Sequence, residues 1–139
     1  MHIDSLEFFR ALQSEMNADP DRFRILGDAD TTFAIVMTDG DAEFVVRVRF
    51  EELRCPEVDL GRGGVDFSLV GPRVAWQAMF DDTLANGRAT GLQTINSLVL
   101  LGDDIELVGD DPMGLDKFSR FNQTLQEFLD GAARVAAAV

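Results

Sequence analysis

The chain has 139 residues, 46% of them hydrophobic, enough for one domain with a substantial core. Twelve basic residues against 25 acidic ones leave a formal net charge of −13, so phosphate backbones and anionic membrane surfaces are repelled and nucleic-acid binding is not expected. A single Cys, Cys55, excludes an internal disulfide.

No apolar run approaches the roughly 20 residues of a membrane span, and the start, MHIDSLEFF, lacks a basic stretch followed by an apolar one. The expectation is a cytoplasmic protein with no stable membrane insertion. Ile3, Leu6, Phe9, Leu12 and Met16 recur at helical spacing, and Asp4 with Glu7 has the form of a cap, which predicts an N-terminal amphipathic helix over 4–17. The NADPD stretch from Asn17 ends it, and Phe23 to Asp30 is read mainly as loop. Thr31 to Met37 and Phe44 to Phe50 are predicted strands, the second with Phe44, Val46, Val48 and Phe50 inward and Arg47 and Arg49 outward. Asp39-Gly40 between them is a hairpin signal. The outward arginines, with Arg54, are expected to pair with Glu43, Glu51 and Glu52, the alternative being a carboxylate- or phosphate-binding patch. A third strand runs through Leu53 and Cys55, and Pro56 confines it to an edge or a short length. Gly61 to Gly64 then turns the chain into a fourth.

In that fourth stretch, VDFSLVGPRVAWQAMF, the hydrophobic period changes in mid-course. Val65, Phe67 and Leu69 alternate as in a strand; after Gly71, Pro72 suits the first helical position and Ala75, Trp76, Met79 and Phe80 share one helix face. Asp81-Asp82-Thr83 reads as a stop and restart, and Asn86-Gly87 as a turn or helix C-cap. Thr90 is placed to cap a further helix with Leu92, Ile95 and Val99 on one face, while Leu98 to Leu101 fits either helix or buried strand. Ile105, Leu107 and Val108 form a short fifth strand. The last helix, over 112–130, starts with Asp111 as cap and Pro112 at its first position. Its stripe runs Leu115, Phe118, Phe121, Leu125, Phe128, Leu129, Ala132, with Gly131 as candidate terminator.

Chemistry-bearing constellations are scarce. His2 is the sole histidine and terminal, and Cys55 has no second His to activate it. A calcium loop starting at Asp39 would need Gly where Phe44 stands and Glu where Phe50 stands, and Gly61 to Gly64 lacks the Lys-Ser/Thr of a P-loop. No catalytic residue, metal or cofactor is expected. The element order is that of a single α+β domain over 1–139, a mainly antiparallel sheet covered on one face by helices and opened by a meander of three or four strands. Its three helical stripes either close a core or part to enclose a ligand.

The segment VDFSLVGPRVAWQAMF, followed by LVLLGDDIELVGDDPMGLDKFSRFNQTLQEFL, resembles the sterol carrier protein 2 (sterol-binding domain) family. The resemblance implies a five-stranded sheet covered by helices, with a hydrophobic tunnel between the layers. It also implies a fatty acyl or sterol-like lipid as partner, and lipid transport without catalysis. The tunnel lining that it implies is Trp76, Met79, Phe80, Leu92, Ile95, Phe118, Phe121 and Leu125. The alternative is an interaction or homodimerisation module of the same fold with a closed core and no ligand.

Overall fold

The computed structural model describes residues 2–138. Helix α1 (Leu6–Ala18) starts one residue later than the Asp4 cap implies, because the Ser5 side chain accepts the Phe8 N–H at 3.2 Å. Asp4 instead pairs with Arg73 at 3.3 Å. The stretch read as loop contains a one-turn helix, α2 (Asp21–Arg24), which buries Phe23, and it already begins the first strand.

Strands β1 (Ala29–Asp39) and β2 (Ala42–Glu52) are joined by Gly40-Asp41. Only the first of these two loop residues has positive φ (+61°), the pattern of a type II′ turn, so Gly40 leads the turn rather than following Asp39 inside it. β3 (Arg54–Leu60) pairs antiparallel with β2 at the sheet edge, and the register slips between Arg49 and Glu51, where Cys55 and Pro56 face Phe50. Proline is tolerated at such an edge irregularity because no ladder donor is needed there.

β4 (Phe67–Pro72) corrects the expected meander. It does not follow β3 in the sheet but crosses back to lie parallel to β1, giving the order β3-β2-β1-β4-β5 with β5 (Glu106–Val108) antiparallel to β4. Asp66 sets this pairing: its backbone N–H donates to the Thr32 carbonyl at 2.7 Å, and its carboxylate accepts from the Thr32 N–H at 3.0 Å and the Thr31 hydroxyl at 2.9 Å. The sheet is therefore five-stranded and mostly antiparallel, with one parallel pair.

Helix α3 (Arg73–Asn86) follows β4 directly, so Pro72 is the cap rather than the first helical residue. It runs unbroken through Asp81-Asp82-Thr83. The Thr83 hydroxyl donates back to the Met79 carbonyl at 3.0 Å, Asp81 accepts from Gln77, and the stop comes at Gly87 with φ +81°. A single 3₁₀ turn (Gly91–Gln93) leads to α4 (Ile95–Leu100), capped by Thr94 rather than Thr90. Leu98 to Leu100 are thus helical. Helix α5 (Pro112–Ala138) begins with the Asp111 carboxylate accepting the Met113 N–H at 3.0 Å. It passes straight through Gly131, where a Cβ would sit in ordinary van der Waals contact with Leu12 and Glu15 of α1. That glycine lies inside the helix and does not terminate it.

Alternation then assigns the two sheet faces. Phe33, Ile35, Met37, Val46, Val48, Phe50, Phe67 and Leu69 join α1, α3 and α5 in one buried core. The other face carries the arginines. Arg47 pairs with Glu57 (3.2 Å) and lies 4.0 Å from Asp59, Arg49 and Arg54 share Glu51, and Glu43 is taken by Arg62 at 2.8 Å. The ion-paired face is as expected, but Glu57 and Asp59 replace Glu43 and Glu52 as partners because the β2–β3 register sets Arg47 and Arg49 opposite Asp59 and Glu57. Among the described residues no helix is long and apolar enough to cross a membrane.

Candidate functional site

The layer between sheet and helices is built from the period change after Val65. β4 delivers Phe67 and Leu69 to the core face, and α3 then folds back so that Trp76, Met79 and Phe80 are buried against the same layer. The Trp76 indole N–H donates to the Val36 carbonyl at 3.2 Å, which fixes the ring over the middle of β1. From α5, Phe118 meets Phe67 edge-on at 5.7 Å, Phe67 stacks on Phe33 at 5.5 Å, and Leu125 is buried in the same core cluster. Ile95, the first residue of α4, is also fully buried.

Six of the eight residues implied as lining therefore lie in one buried cluster: Trp76, Met79, Phe80, Ile95, Phe118 and Leu125. Phe121 packs partly against it and also borders an open cleft of about 450 Å³ beside Arg120 and Arg49. Leu92 stands apart, 71% exposed on the 3₁₀ turn, because that turn rides over the core on the buried neighbours Ala89 and Ile95. Residues outside that set complete the layer. Phe8 of α1 meets Phe80 edge-on at 5.0 Å, and Phe50 meets Phe128 at 5.3 Å. The signal for Phe50 and Phe128 was already in their strand and helix periods, whereas the Phe8–Phe80 contact depends on how α1 docks.

Polar side chains of α5 pin the segment over this layer. Asp130 accepts the Ala89 N–H at 3.0 Å and Gln126 accepts the Ile95 N–H at 2.6 Å, with the Gln126 amide donating to Asp130 at 2.9 Å. Asp82 of α3 accepts the Thr90 N–H at 2.6 Å. Burial pushes the Asp130 carboxyl above the ordinary carboxylate range, more than its hydrogen bonds from Ala89 and Gln126 pull it down. No sequence motif announces this clamp, since its partners are separated along the chain.

A larger cleft of about 550 Å³ opens where β4 and α5 begin, lined by Asp66, Asp110, Met113, Lys117 and Arg120 among others. Its central carboxylate is committed to structure. Burial alone would raise the Asp66 pKa, but hydrogen bonds from Thr32, Thr31 and Lys117, with the Lys117 charge, outweigh it and hold the group below the usual range. Cys55 is buried, and that burial pushes its thiol up to about 12, so no thiolate nucleophile forms near neutral pH. Among the described residues no group of three His, Cys, Asp or Glu side chains is arranged to hold a metal ion.

No family model matches the chain, and no curated protein matches it in sequence. Solved structures do. A conserved hypothetical protein from Thermus thermophilus, described as a possible sterol carrier protein, superposes with a TM-score of 0.69 at 18% identity, covering 97% of this chain and 90% of its own. The crystal structure of sterol carrier protein 2 superposes with a TM-score of 0.68 at 15% identity, covering 95% of this chain and 98% of its own. With superposition at these TM-scores over nearly the whole length of both chains, this chain has the sterol carrier protein 2 fold.

Proposed function

We propose that the protein binds a small hydrophobic ligand, a fatty acyl or sterol-like lipid, between sheet and helices, and carries it through the cytoplasm without catalysis. The observation that carries this reading is the likeness in fold to sterol carrier protein 2 across 95% of the chain. The continuous apolar layer formed by Trp76, Met79, Phe80, Ile95, Phe118 and Leu125 supports it. Phe121 and Leu92 would then mark where the layer meets solvent. Transfer of an alkyl chain from water into such a layer is worth about 0.8 kcal/mol per CH₂, while exchange with a bilayer is close to neutral, which suits reversible carriage.

In the closed arrangement these side chains fill the space between the layers. A ligand therefore enters by separating α4 and the preceding turn from α5, where hydrogen bonds from Asp130 and Gln126 are the ties to be broken. Native mass spectrometry of gently purified protein, followed by titration of the lone Trp76 fluorescence with acyl and sterol ligands, tests the reading. A retained lipid or a saturable response is expected; no retained mass and no response across the panel would refute it.

A second reading is an interaction or homodimerisation module with a permanently closed core. The full burial of Trp76, Met79, Ile95 and Leu125, none of which lines the 550 or 450 Å³ cleft, favours it. It requires a stable dimer in sedimentation and no ligand uptake.

A further inference from the structure

The distribution of acid along the chain is uneven. Residues 83–102 contain no Asp or Glu, the longest such run in a chain with 25 acidic residues, and Arg88 is their one charged side chain. The same run carries a concentration of exposed leucine: Leu84 is 48% exposed, Leu92 71%, Leu100 67% and Leu101 74%. Exposed single leucines are ordinary on a protein surface, but several on adjoining turns, stripped of the charge found elsewhere, are not.

Local structure explains why these side chains stay outside. Asp82 ties Thr90 to the end of α3, so the 3₁₀ turn carrying Leu92 lies against the turn carrying Leu84. α4 follows at once, capped by Thr94. The inner side of the segment is already occupied: Ala89 and Ile95 are buried, and Asp130 and Gln126 take their backbone N–H groups. Leu100 and Leu101 fall at the end of α4, where Gly102 packs against the Leu98 carbonyl and turns the chain away. The leucines have no place left in the core.

We propose that the face formed by the end of α3, the 3₁₀ turn and α4 is a docking surface for an electroneutral lipid bilayer. Charge selects this occupant. The net charge of −13 repels anionic bilayers and a second copy of the chain alike, and it draws a basic polypeptide to the acidic remainder of the surface instead of here. A zwitterionic bilayer imposes no such penalty, accepts leucine side chains at its interface, and offers phosphate oxygens to Arg88, which makes no ion pair among the described residues. The face is the outer side of the strap over the apolar layer, so docking would place that strap at the lipid. The inference concerns a partner surface and does not depend on what, if anything, the core binds.

Flotation with phosphatidylcholine vesicles tests it. Wild-type protein is expected to float with these vesicles, and less so when about half the lipid is phosphatidylglycerol, with the difference shrinking as salt screens the repulsion. The combined variant Leu92→Glu, Leu100→Glu, Leu101→Glu is expected to lower the vesicle partition coefficient by at least ~100-fold, as three leucines no longer leave water. Ile25→Glu with Val74→Glu, at apolar positions 91% and 75% exposed outside the acid-free run, should leave partitioning unchanged. Hydrogen exchange of the wild-type chain with and without vesicles needs no variant to fold, and protection should concentrate in residues 83–102. The proposal is overturned by absence of flotation at millimolar lipid, by a triple variant that floats as well as wild type, or by protection located elsewhere. A dimer that the triple variant dissociates would also overturn it, making a second copy the occupant. Because ligand uptake is read separately by native mass spectrometry, failure to dock and failure to bind a lipid inside are distinguishable.

Discussion

Trp76→Phe probes the joint between sheet and helix layer. The indole is fully buried and its N–H is the partner of the Val36 carbonyl at 3.2 Å. Phenylalanine keeps an aromatic ring but removes the donor and part of the ring volume. Leaving a buried polar group short of its partner costs about 1–3 kcal/mol. The missing ring atoms cost roughly a further 2 kcal/mol in transfer and cavity terms, since the surrounding aromatics relax only partly. The expected loss is therefore about 3–5 kcal/mol, a large part of the ~5–15 kcal/mol that holds a domain of this kind. Urea unfolding followed by far-UV circular dichroism reads it, with the m-value unchanged. Phe80→Leu serves as the comparison, because Phe80 is equally deep and has no polar atom; it should cost only about 1–1.5 kcal/mol. A Trp76→Phe loss below ~1 kcal/mol, or one equal to that of Phe80→Leu, would show that the indole N–H does not anchor the joint.

Gly114→Ala should destabilise by roughly 1–3 kcal/mol by chemical denaturation although alanine is the better helix former, because its Cβ would run into the Asp66 backbone carbonyl where α5 crosses the start of β4; an unchanged midpoint would show that this crossing yields. Asp130→Asn tests the clamp by its pH dependence. A carboxyl held above its unfolded pKa contributes stability below that unfolded value and loses it as pH rises through the folded one, so the ionised group is a burden at neutral pH. Asparagine keeps an acceptor for Ala89 and Gln126, so the thermal midpoint at pH 7 should rise and its fall between acid and neutral pH should flatten; a lower midpoint at pH 7 would contradict the clamp chemistry. Cys55, buried and with its thiol pushed up to about 12, should react with an aromatic disulfide reagent only at the rate of unfolding, and rapid labelling of folded protein would count against its burial.

The elements that local pattern could specify were legible. Odd and even positions of Phe44 to Phe50 sorted the core from the arginine face, and Pro56 marked an edge, because both rest on the two-residue period and on missing donors. Asp111-Pro112 marked the start of α5 for the same local reason. Reading failed where a packing or hydrogen-bond partner outside the apolar pattern decided the outcome. Gly131 has the look of a terminator, yet α5 runs on through it alongside α1, and Asp81-Asp82-Thr83 has the look of a break until Thr83 satisfies its hydroxyl on Met79. Thr90 has the look of a cap until Asp82 claims it.

The candidate site divides along the same line. Sequence alone determined that Trp76, Met79, Phe80, Phe118 and Leu125 are apolar stripe residues of helices flanking a sheet, since periodicity and the strand-to-helix switch at Gly71 are properties of neighbouring residues. Only the tertiary structure decided that Leu92 faces solvent while Ile95 faces the core, and that Asp130 and Gln126 tie the segment between them to α5. It also decided that β4 lies parallel beside β1 rather than beyond β3. These depend on contacts across 31 to 41 residues of chain, formed when the polar groups Asp66, Gln126 and Asp130 find backbone partners that no local pattern can supply.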